Sequence, residues 1–252
     1  MSASSGLERL TAIMKRLRDP MSGCEWDRAQ DFASIAPYTI EEAYEVADAI
    51  QRDDMKSLAD ELGDLQLQVV FHAQMAAEAG HFTLADVMAR ICDKLERRHP
   101  HIFGEAAHSP GWEEIKAAER AKANDPSALA GVALALPALE RAAKLQRRAA
   151  RTGFDWPDAS GPRAKIDEEL AELDAETSHE RQVDELGDLL LAVVNLARHL
   201  NIEPEAALRR ANAKFEARFR AIECKPGFAS LSLDQKEALW TAAKAAQAVK
   251  PA

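Results

Sequence analysis

The sequence predicts an all-α chain made of two tandem copies of one helical domain. Ala, Leu, Glu, Arg and Lys dominate the 252 residues, and apolar residues recur at helical spacing over long stretches. Glycine and proline number only 11 each, and no stretch alternates convincingly like a strand. Sequence blocks also recur in the same order in both halves, which indicates a duplication.

The repeated blocks define the two copies. The offset of the first four blocks shrinks only from 130 to 120 residues along the chain, and helical composition alone would rarely produce such order. A helix-breaking stretch, Asn124-Asp125-Pro126-Ser127, separates the copies, so we expect domains at residues 1–125 and 126–252. The matched blocks are residues 23–26 with 153–156, 41–45 with 168–172, 60–65 with 184–189, 94–98 with 214–218, and Trp112 and Lys116 with Trp240 and Lys244.

Composition excludes several classes of function. A formal net charge of −10 argues against a nucleic-acid polymer as partner, because proteins that bind phosphate backbones need a basic surface. There is no apolar run long enough to span a bilayer, and the start, MSASSGLERL, lacks the layout of a signal peptide. We therefore expect no membrane partner and a cytoplasmic location. The three cysteines are far apart and form no CxxC pair, so neither a disulfide framework nor a zinc site is indicated.

Each copy carries four acids as Glu-x-x-Glu on one helix and Glu-x-x-Asp on the next, and residues three apart share a helical face. In an antiparallel hairpin, Glu169 faces Asp188 and Glu172 faces Glu185. The same spacing recurs in the first copy although its connection is longer. The two predicted quartets are Glu42, Glu45, Glu61 and Asp64 in the first copy and Glu169, Glu172, Glu185 and Asp188 in the second.

Such quartets need a compensating charge. Two unit charges 4 Å apart repel by about 4 kcal/mol even at an effective dielectric near 20. Oxygen ligands alone suit Mg²⁺, with Mn²⁺ as a substitute, so we predict a divalent cation in each quartet. The apolar run around Glu185 predicts a buried segment, and Gly63 and Gly187 predict close backbone approach. The alternative is that the acids are ordinary solvated side chains.

Basic and aromatic residues follow each quartet. Lys94 and Arg98 are four residues apart and share one helix face, as do Lys214 and Arg218. Each pair could hold phosphate oxygens beside the cation. The alternative is that each pair forms surface salt bridges. Trp240 could stack on a base or pack in a core. Asn195 lies two turns after Asp188 on nearly the same face and could reach a nucleotide, whereas Phe71 stands there in the first copy.

These patterns resemble the MazG nucleotide pyrophosphohydrolases of the tandem two-domain type, and the likeness covers nearly the whole chain. It rests on both acidic patterns and on the stretches RLRDP at 16–20, GCEWD at 23–27, IAPYT at 35–39, KLERRHPH at 94–101 and NLARH at 195–199. The resemblance implies an all-α fold with helical bundles completed in a homodimer. It also implies a Mg²⁺ requirement and hydrolysis of nucleoside triphosphates to monophosphates and pyrophosphate.

The resemblance also assigns roles in each copy, and the second copy is the preferred catalytic one. Lys165 and Glu168 border that site, and Glu168 is a candidate general base. The first copy supplies a complete set as well, with Lys94 and Arg98 beside its acids. The connection after Arg218 is shorter than the family pattern. In the second copy the implied metal ligands are Glu169, Glu172, Glu185 and Asp188, and the implied nucleotide contacts are Lys214, Arg218 and Trp240.

Three alternatives stay open on the sequence alone. A relative selective for one substrate, dUTP or phosphoribosyl-ATP, would share the chemistry. A helical regulator could bind nucleotide or a protein partner and use the acids for a structural cation. A di-iron carboxylate bundle is the third alternative.

Overall fold

A computed structural model describes residues 3–104, 115 and 125–248, and these residues contain eleven α-helices, one 3-10 turn and no strand. The predicted all-α fold is confirmed. Contacts divide the chain into two compact units, Met1–Ala117 and Ala118–Ala252. The domain boundary at residues 125 and 126 stays a prediction, and Trp112 and Lys116 lie outside the described residues.

The first unit is organised around a helical hairpin. Helices α3 and α4 pack along each other, α1 packs against α4, and α5 follows with the short α6. Met14 and Ile35 from α1 and α3 meet Val70 and Phe71 of α4 in the core. The helices are α1 (Ala3–Leu17), α2 (Glu25–Ala29), α3 (Phe32–Gln51), α4 (Met55–Glu78), α5 (Leu84–Arg98) and α6 (Pro100–Phe103).

Side-chain caps set the ends of this hairpin. Asp31 accepts a hydrogen bond from the backbone N–H of Ser34 and thereby caps the start of α3. Asp54 accepts from the backbone N–H of Ser57 at 3.0 Å and caps the start of α4. The turn between these helices is therefore short, and it holds the two acid-bearing helices antiparallel.

The second unit has its own hairpin of α8 and α9. Helix α7 packs against α9 and α10, and α10 packs against α11. Its buried side chains are smaller than those of the first unit and include Ala143, Ala192 and Val194. The helices are α7 (Ala138–Ala150), α8 (Ser160–Ala175), α9 (His179–His199), α10 (Pro204–Glu223) and α11 (Leu233–Ala248), with a 3-10 turn at Phe228–Ser230.

Two sequence predictions about these hairpins differ from the structure. Of the apolar side chains expected to be buried beside Glu185, Val194 is buried and Leu189 is partly buried, whereas Leu186, Leu190 and Val193 are 47%, 50% and 45% exposed. A Cβ added at Gly63 or Gly187 would meet no described atom within 4 Å, so neither glycine marks a close backbone approach. Both differences have the same reason, because the exposed apolar side chains and the two glycines lie on the outer faces of their hairpins. Among the described residues, no helix has the length and apolar character required to cross a bilayer.

Gly63→Ala should raise the free energy of unfolding by about 0.5–1 kcal/mol, because alanine restricts the unfolded chain and is the better helix former. Gly23→Ala is the contrasting variant, since its added Cβ would lie 2.3 Å from the carbonyl oxygen of Leu17. Urea unfolding of both variants measures the difference. A loss of stability in Gly63→Ala would contradict the open environment described above.

Candidate metal and phosphate site

The hairpin of each unit brings its acids together. In the second unit, Glu169, Glu172 and Glu185 each offer a carboxylate oxygen, and these oxygens lie within 4.8 Å of one another. The first unit repeats the arrangement, with one carboxylate oxygen from each of three residues within 4.8 Å of the others. Its three acids are Glu42, Glu45 and Glu61. Each hairpin therefore carries a set of carboxylates that could hold a divalent cation.

The fourth acid of each predicted quartet, Asp64 or Asp188, is not part of these clusters but lies near enough to repel at least one of their members. Partial burial raises the pKa of Glu185, and repulsion from Glu172, Glu169 and then Asp188 raises it further. In the first unit, burial raises the pKa of Glu42, with additional repulsion from Asp64 and Glu45.

The pKa of Glu61 is also raised, first by burial and then by its acidic neighbours Glu45 and Asp64. Raised values of this kind mark carboxylates whose negative charges are not fully compensated by the protein. Both quartets therefore fit a cation, and the donor set is oxygen only.

Lys165 distinguishes the second site from the first. Its Nζ lies 2.6 Å from Oε1 of Glu169 and 2.8 Å from Oε1 of Glu168. Glu169 is only 3% exposed, and a buried carboxylate needs a charged or hydrogen-bonding partner. Hydrogen bonds to Glu168 and Glu169 raise the pKa of Lys165, which keeps it cationic. The lysine thus offsets part of the negative charge of the second quartet.

The first site lacks this ion pair. Tyr38 stands where the second copy has Lys165, three residues before the paired glutamates. Glu42 accepts a hydrogen bond from Nε2 of Gln68 instead, at a long 3.5 Å. A neutral amide compensates a carboxylate less than an ammonium does. The two sites therefore share a ligand pattern and differ in charge.

The predicted phosphate-binding residues of the second copy lie on α10 and α11. Arg218 donates from Nε to Oε1 of Gln247 at 2.8 Å, and its guanidinium lies 5.8 Å from the ring centre of Trp240. Trp240 also packs against Phe215, with ring centres 5.2 Å apart. Within the described chain, neither Lys214 nor Arg218 forms an ion pair with the quartet. Their contacts with a nucleotide stay predictions.

The first copy's basic pair lies at the end of α5. Lys94 lines a groove of about 270 Å³ with Phe82, Arg90 and Ile91. Arg98 is the last residue of the same helix. A phosphate-binding role for Lys94 and Arg98 stays a prediction.

The sequence reasoning missed a pocket of about 320 Å³ in the second unit. Its walls come from α7, from the loop before α8, and from the end of α9, and they include Trp156, Asn195 and Arg198. Arg198 is anchored by a hydrogen bond from Nη1 to Oδ2 of Asp155 at 2.8 Å. Hydrogen bonding by Arg198 lowers the pKa of Asp155 to about 2. The replacement of Phe71 by Asn195 between the copies was the one sequence signal for this pocket.

Comparisons with known proteins agree with the geometry. The family described as the MazG nucleotide pyrophosphohydrolase domain matches residues 30–103. A nucleoside triphosphate pyrophosphohydrolase of Escherichia coli strain K12 is 50% identical over 228 residues, covering 86% of this chain and 87% of that protein. A nucleoside triphosphate pyrophosphohydrolase/pyrophosphatase MazG of Thermotoga maritima is 47% identical over 221 residues, covering 86% and 85%. The uncharacterized protein YabN of Bacillus subtilis is 42% identical, and the match covers 92% of this chain and 50% of that protein.

Lys165→Met should lower the melting temperature of the metal-free protein, because Glu169 would be left buried without a cationic partner. Added Mg²⁺ should recover more of the lost stability in this variant than it adds to the unaltered protein. Thermal scans with and without Mg²⁺ measure both effects. Lys144→Met is the matched control, since Lys144 forms only a partly exposed pair with Glu140 at 2.8 Å. Equal responses of the two variants would contradict the compensating role of Lys165.

Proposed function

Because the chain belongs to the MazG nucleotide pyrophosphohydrolase family, we propose that it hydrolyses nucleoside triphosphates. The products are the nucleoside monophosphate and pyrophosphate, so one water is consumed and the bond between the α and β phosphates breaks. The single observation that carries this proposal is the carboxylate cluster of Glu169, Glu172 and Glu185, found in a chain half identical to a nucleoside triphosphate pyrophosphohydrolase. A role in cleaning the nucleotide pool is consistent with this reaction.

The quartet suits Mg²⁺, with Mn²⁺ as a substitute, because all of its donors are carboxylate oxygens. Glu169, Glu172, Glu185 and Asp188 would hold the ion in the second copy. When bound, a divalent cation neutralises phosphate charge and acidifies water. The quartet of the first copy would hold an ion through Glu42, Glu45, Glu61 and Asp64.

The protein's own side chains supply the remaining functions. Lys214 and Arg218 bind and orient the phosphate oxygens, and Trp240 borders the nucleotide. Glu168 accepts the proton of the attacking water, since it flanks the quartet and its carboxylate already accepts a hydrogen bond from Lys165 at 2.8 Å. Lys165 thus positions the proposed base beside the buried Glu169.

We place the main activity in the second copy. In that copy Lys165 pairs with both Glu169 and the proposed base Glu168, whereas Tyr38 stands at the equivalent position of the first copy. A cytoplasmic location and the absence of a nucleic-acid polymer as partner stay predictions. A regulator without turnover and an enzyme limited to dUTP or phosphoribosyl-ATP are the competing functions. The names of the Escherichia coli and Thermotoga maritima relatives favour neither.

A homodimer is part of the proposal. Leu186, Leu190 and Val193 follow one another at helical spacing on α9 and are each 45–50% exposed. Leu170 of the neighbouring α8 is 43% exposed. An apolar stripe of this kind beside the catalytic acids is suited to packing against the same stripe of a second copy.

Purified protein should convert a panel of nucleoside triphosphates to monophosphates and pyrophosphate only when Mg²⁺ or Mn²⁺ is present, as followed by ³¹P NMR. Glu172→Gln should lower kcat by about 100-fold or more, because it removes a ligand of the cation. Glu180→Gln, on the exposed first turn of α9, is the control and should leave kcat unchanged. Orthophosphate and diphosphate as products, or full activity in Glu172→Gln, would refute the proposal.

Leu190→Glu should shift the protein from dimer toward monomer, because two buried glutamates would face each other across the stripe. Sedimentation velocity measures the change at micromolar concentrations. Leu208→Glu is the matched control on α10, where Leu208 is 49% exposed and lies outside the stripe. A monomeric unaltered protein, or a dimer that survives Leu190→Glu, would contradict the proposed interface.

A further inference from the structure

A cleft in the first unit takes no part in the chemistry described above. It has a volume of about 130 Å³, lies among α1, α2, α3 and α4, and is called here the Asp27 cleft after the acid in its wall. Trp26 and Tyr38 line it and are 52% and 41% exposed, so the cleft reaches the surface beside these two rings. The volume is several times what one water molecule requires, and a small ligand can therefore fit.

The carboxylate of Asp27 is buried without a partner. Asp27 is 9% exposed, and in the part of the chain that the structure describes its side chain forms no hydrogen bond or ion pair. Arg18 lies nearby and donates to the backbone oxygen of Asp27, but its Nη2 pairs with Oε2 of Glu78 at 2.8 Å. A buried carboxylate calls for a positively charged or hydrogen-bonding partner. A ligand with such a group would supply it.

Gln68 adds a second unpaired acceptor to the same wall. It is 7% exposed, and its Nε2 donates to Oε1 of Glu42 at a long 3.5 Å. Because a carboxylate only accepts hydrogen bonds, the amide must turn its nitrogen toward Glu42 and its oxygen away. That Oε1 is buried and has no hydrogen-bond partner among the described residues. The wall of the cleft thus holds a carboxylate and an amide oxygen that both lack a donor.

Aromatic rings form much of the remaining wall. Trp26 and Tyr38 meet edge to face with ring centres 6.2 Å apart, and the buried Phe71 lines the cleft from α4. The faces of aromatic rings attract cations. A metal ion suits this wall poorly, because hard cations such as Mg²⁺ require about six oxygen ligands. Two oxygen acceptors among aromatic rings instead fit an organic cation that carries N–H donors.

The second copy lacks both acceptors. In the matched blocks, Pro157 stands at the position of Asp27, and Ala192 stands at the position of Gln68. Neither side chain can accept a hydrogen bond. The two acceptors are therefore a property of the first copy and not of the shared fold.

The second copy carries an ammonium group of its own instead. Lys165 stands at the position of Tyr38, and its Nζ lies 2.6 Å from Oε1 of Glu169. The counterpart of Glu169 is Glu42, whose carboxylate has only the long contact with Gln68. A soluble ammonium ion beside Tyr38 would bring to the first copy the kind of charge that Lys165 provides in the second.

We propose that the Asp27 cleft binds a small primary alkylammonium ion. Asp27 and Gln68 accept hydrogen bonds from the ammonium group, which offers three donors, and the alkyl chain packs against the aromatic wall. Binding also holds Gln68 with its nitrogen toward Glu42, which links the ligand to the acids of the first copy. The site requires no turnover of nucleotide, so binding alone can test it.

Calorimetric titration of the full chain with butylammonium chloride measures this binding, with sodium chloride keeping the ionic strength constant. We expect saturable binding of one ion per chain. Asp27→Asn keeps the shape of the side chain and should weaken binding by about tenfold, because a charge-assisted hydrogen bond becomes a neutral one. Gln68→Met removes the second acceptor and should weaken binding less. Asp48→Asn is the matched control, since Asp48 pairs with Arg52 at 2.8 Å on the exposed surface.

Substitutions of Tyr38 test the comparison between the copies. Tyr38→Lys installs the residue of the second copy and should abolish butylammonium binding, because its own ammonium group supplies the charge. Tyr38→Phe keeps the ring and should leave binding unchanged. Thermal unfolding establishes that each variant is folded, and this pair decides the question even if Asp27→Asn does not fold.

Several outcomes would overturn the proposal. These are no saturable binding to the unaltered protein, equal binding to the unaltered protein and Asp27→Asn, and full binding to Tyr38→Lys. Tetramethylammonium chloride, which has no N–H donor, should bind more weakly than butylammonium, and equal binding would remove any role for the two acceptors. Equal binding of potassium ions would identify a site for a monovalent metal ion and would also contradict the proposal.

Discussion

The mutual repulsion of carboxylates on two packed helices is the constraint on which the rest of each unit depends. Capped, antiparallel helices bring three carboxylates within 4.8 Å, and burial followed by repulsion from neighbouring acids raises the pKa values of Glu42 and Glu185. Such crowding opposes folding unless a cation or a basic side chain stands nearby. A divalent cation bound among these carboxylates would therefore relieve the protein's own electrostatic repulsion.

The two copies of the domain offset the repulsion among their carboxylates in different ways. The second copy places Lys165 against the buried Glu169, whereas the first copy has Tyr38 at that position and only a long hydrogen bond from Gln68. The copies diverge again two turns beyond the acids, where Phe71 fills the first core and Asn195 lines an open pocket in the second. Charge compensation by Lys165 and an open pocket around Asn195 thus occur together in one copy.

Sequence reasoning succeeded where local spacing decides the result. The helical fold, the acid-bearing hairpins and the meeting of Glu169, Glu172 and Glu185 follow from residues three apart on amphipathic helices. It failed where neighbours distant in sequence decide, as for Leu186 and Leu190, whose apolar character suggested burial although both are half exposed. Helical spacing also placed Lys214 and Arg218 on one face, but the contacts of Arg218 with Trp240 and Gln247 depend on how α11 packs against α10.

The sequence alone determined the repeat, the helical class, the family resemblance and which carboxylates share a face, because these depend on the order of residues along single helices. Only the tertiary structure decided that Glu169 is the most buried acid of its set. It also decided that α7, α8 and α9 leave a pocket around Asn195. Burial and empty volume arise from packing among segments far apart in the chain, and spacing along one helix carries no record of them.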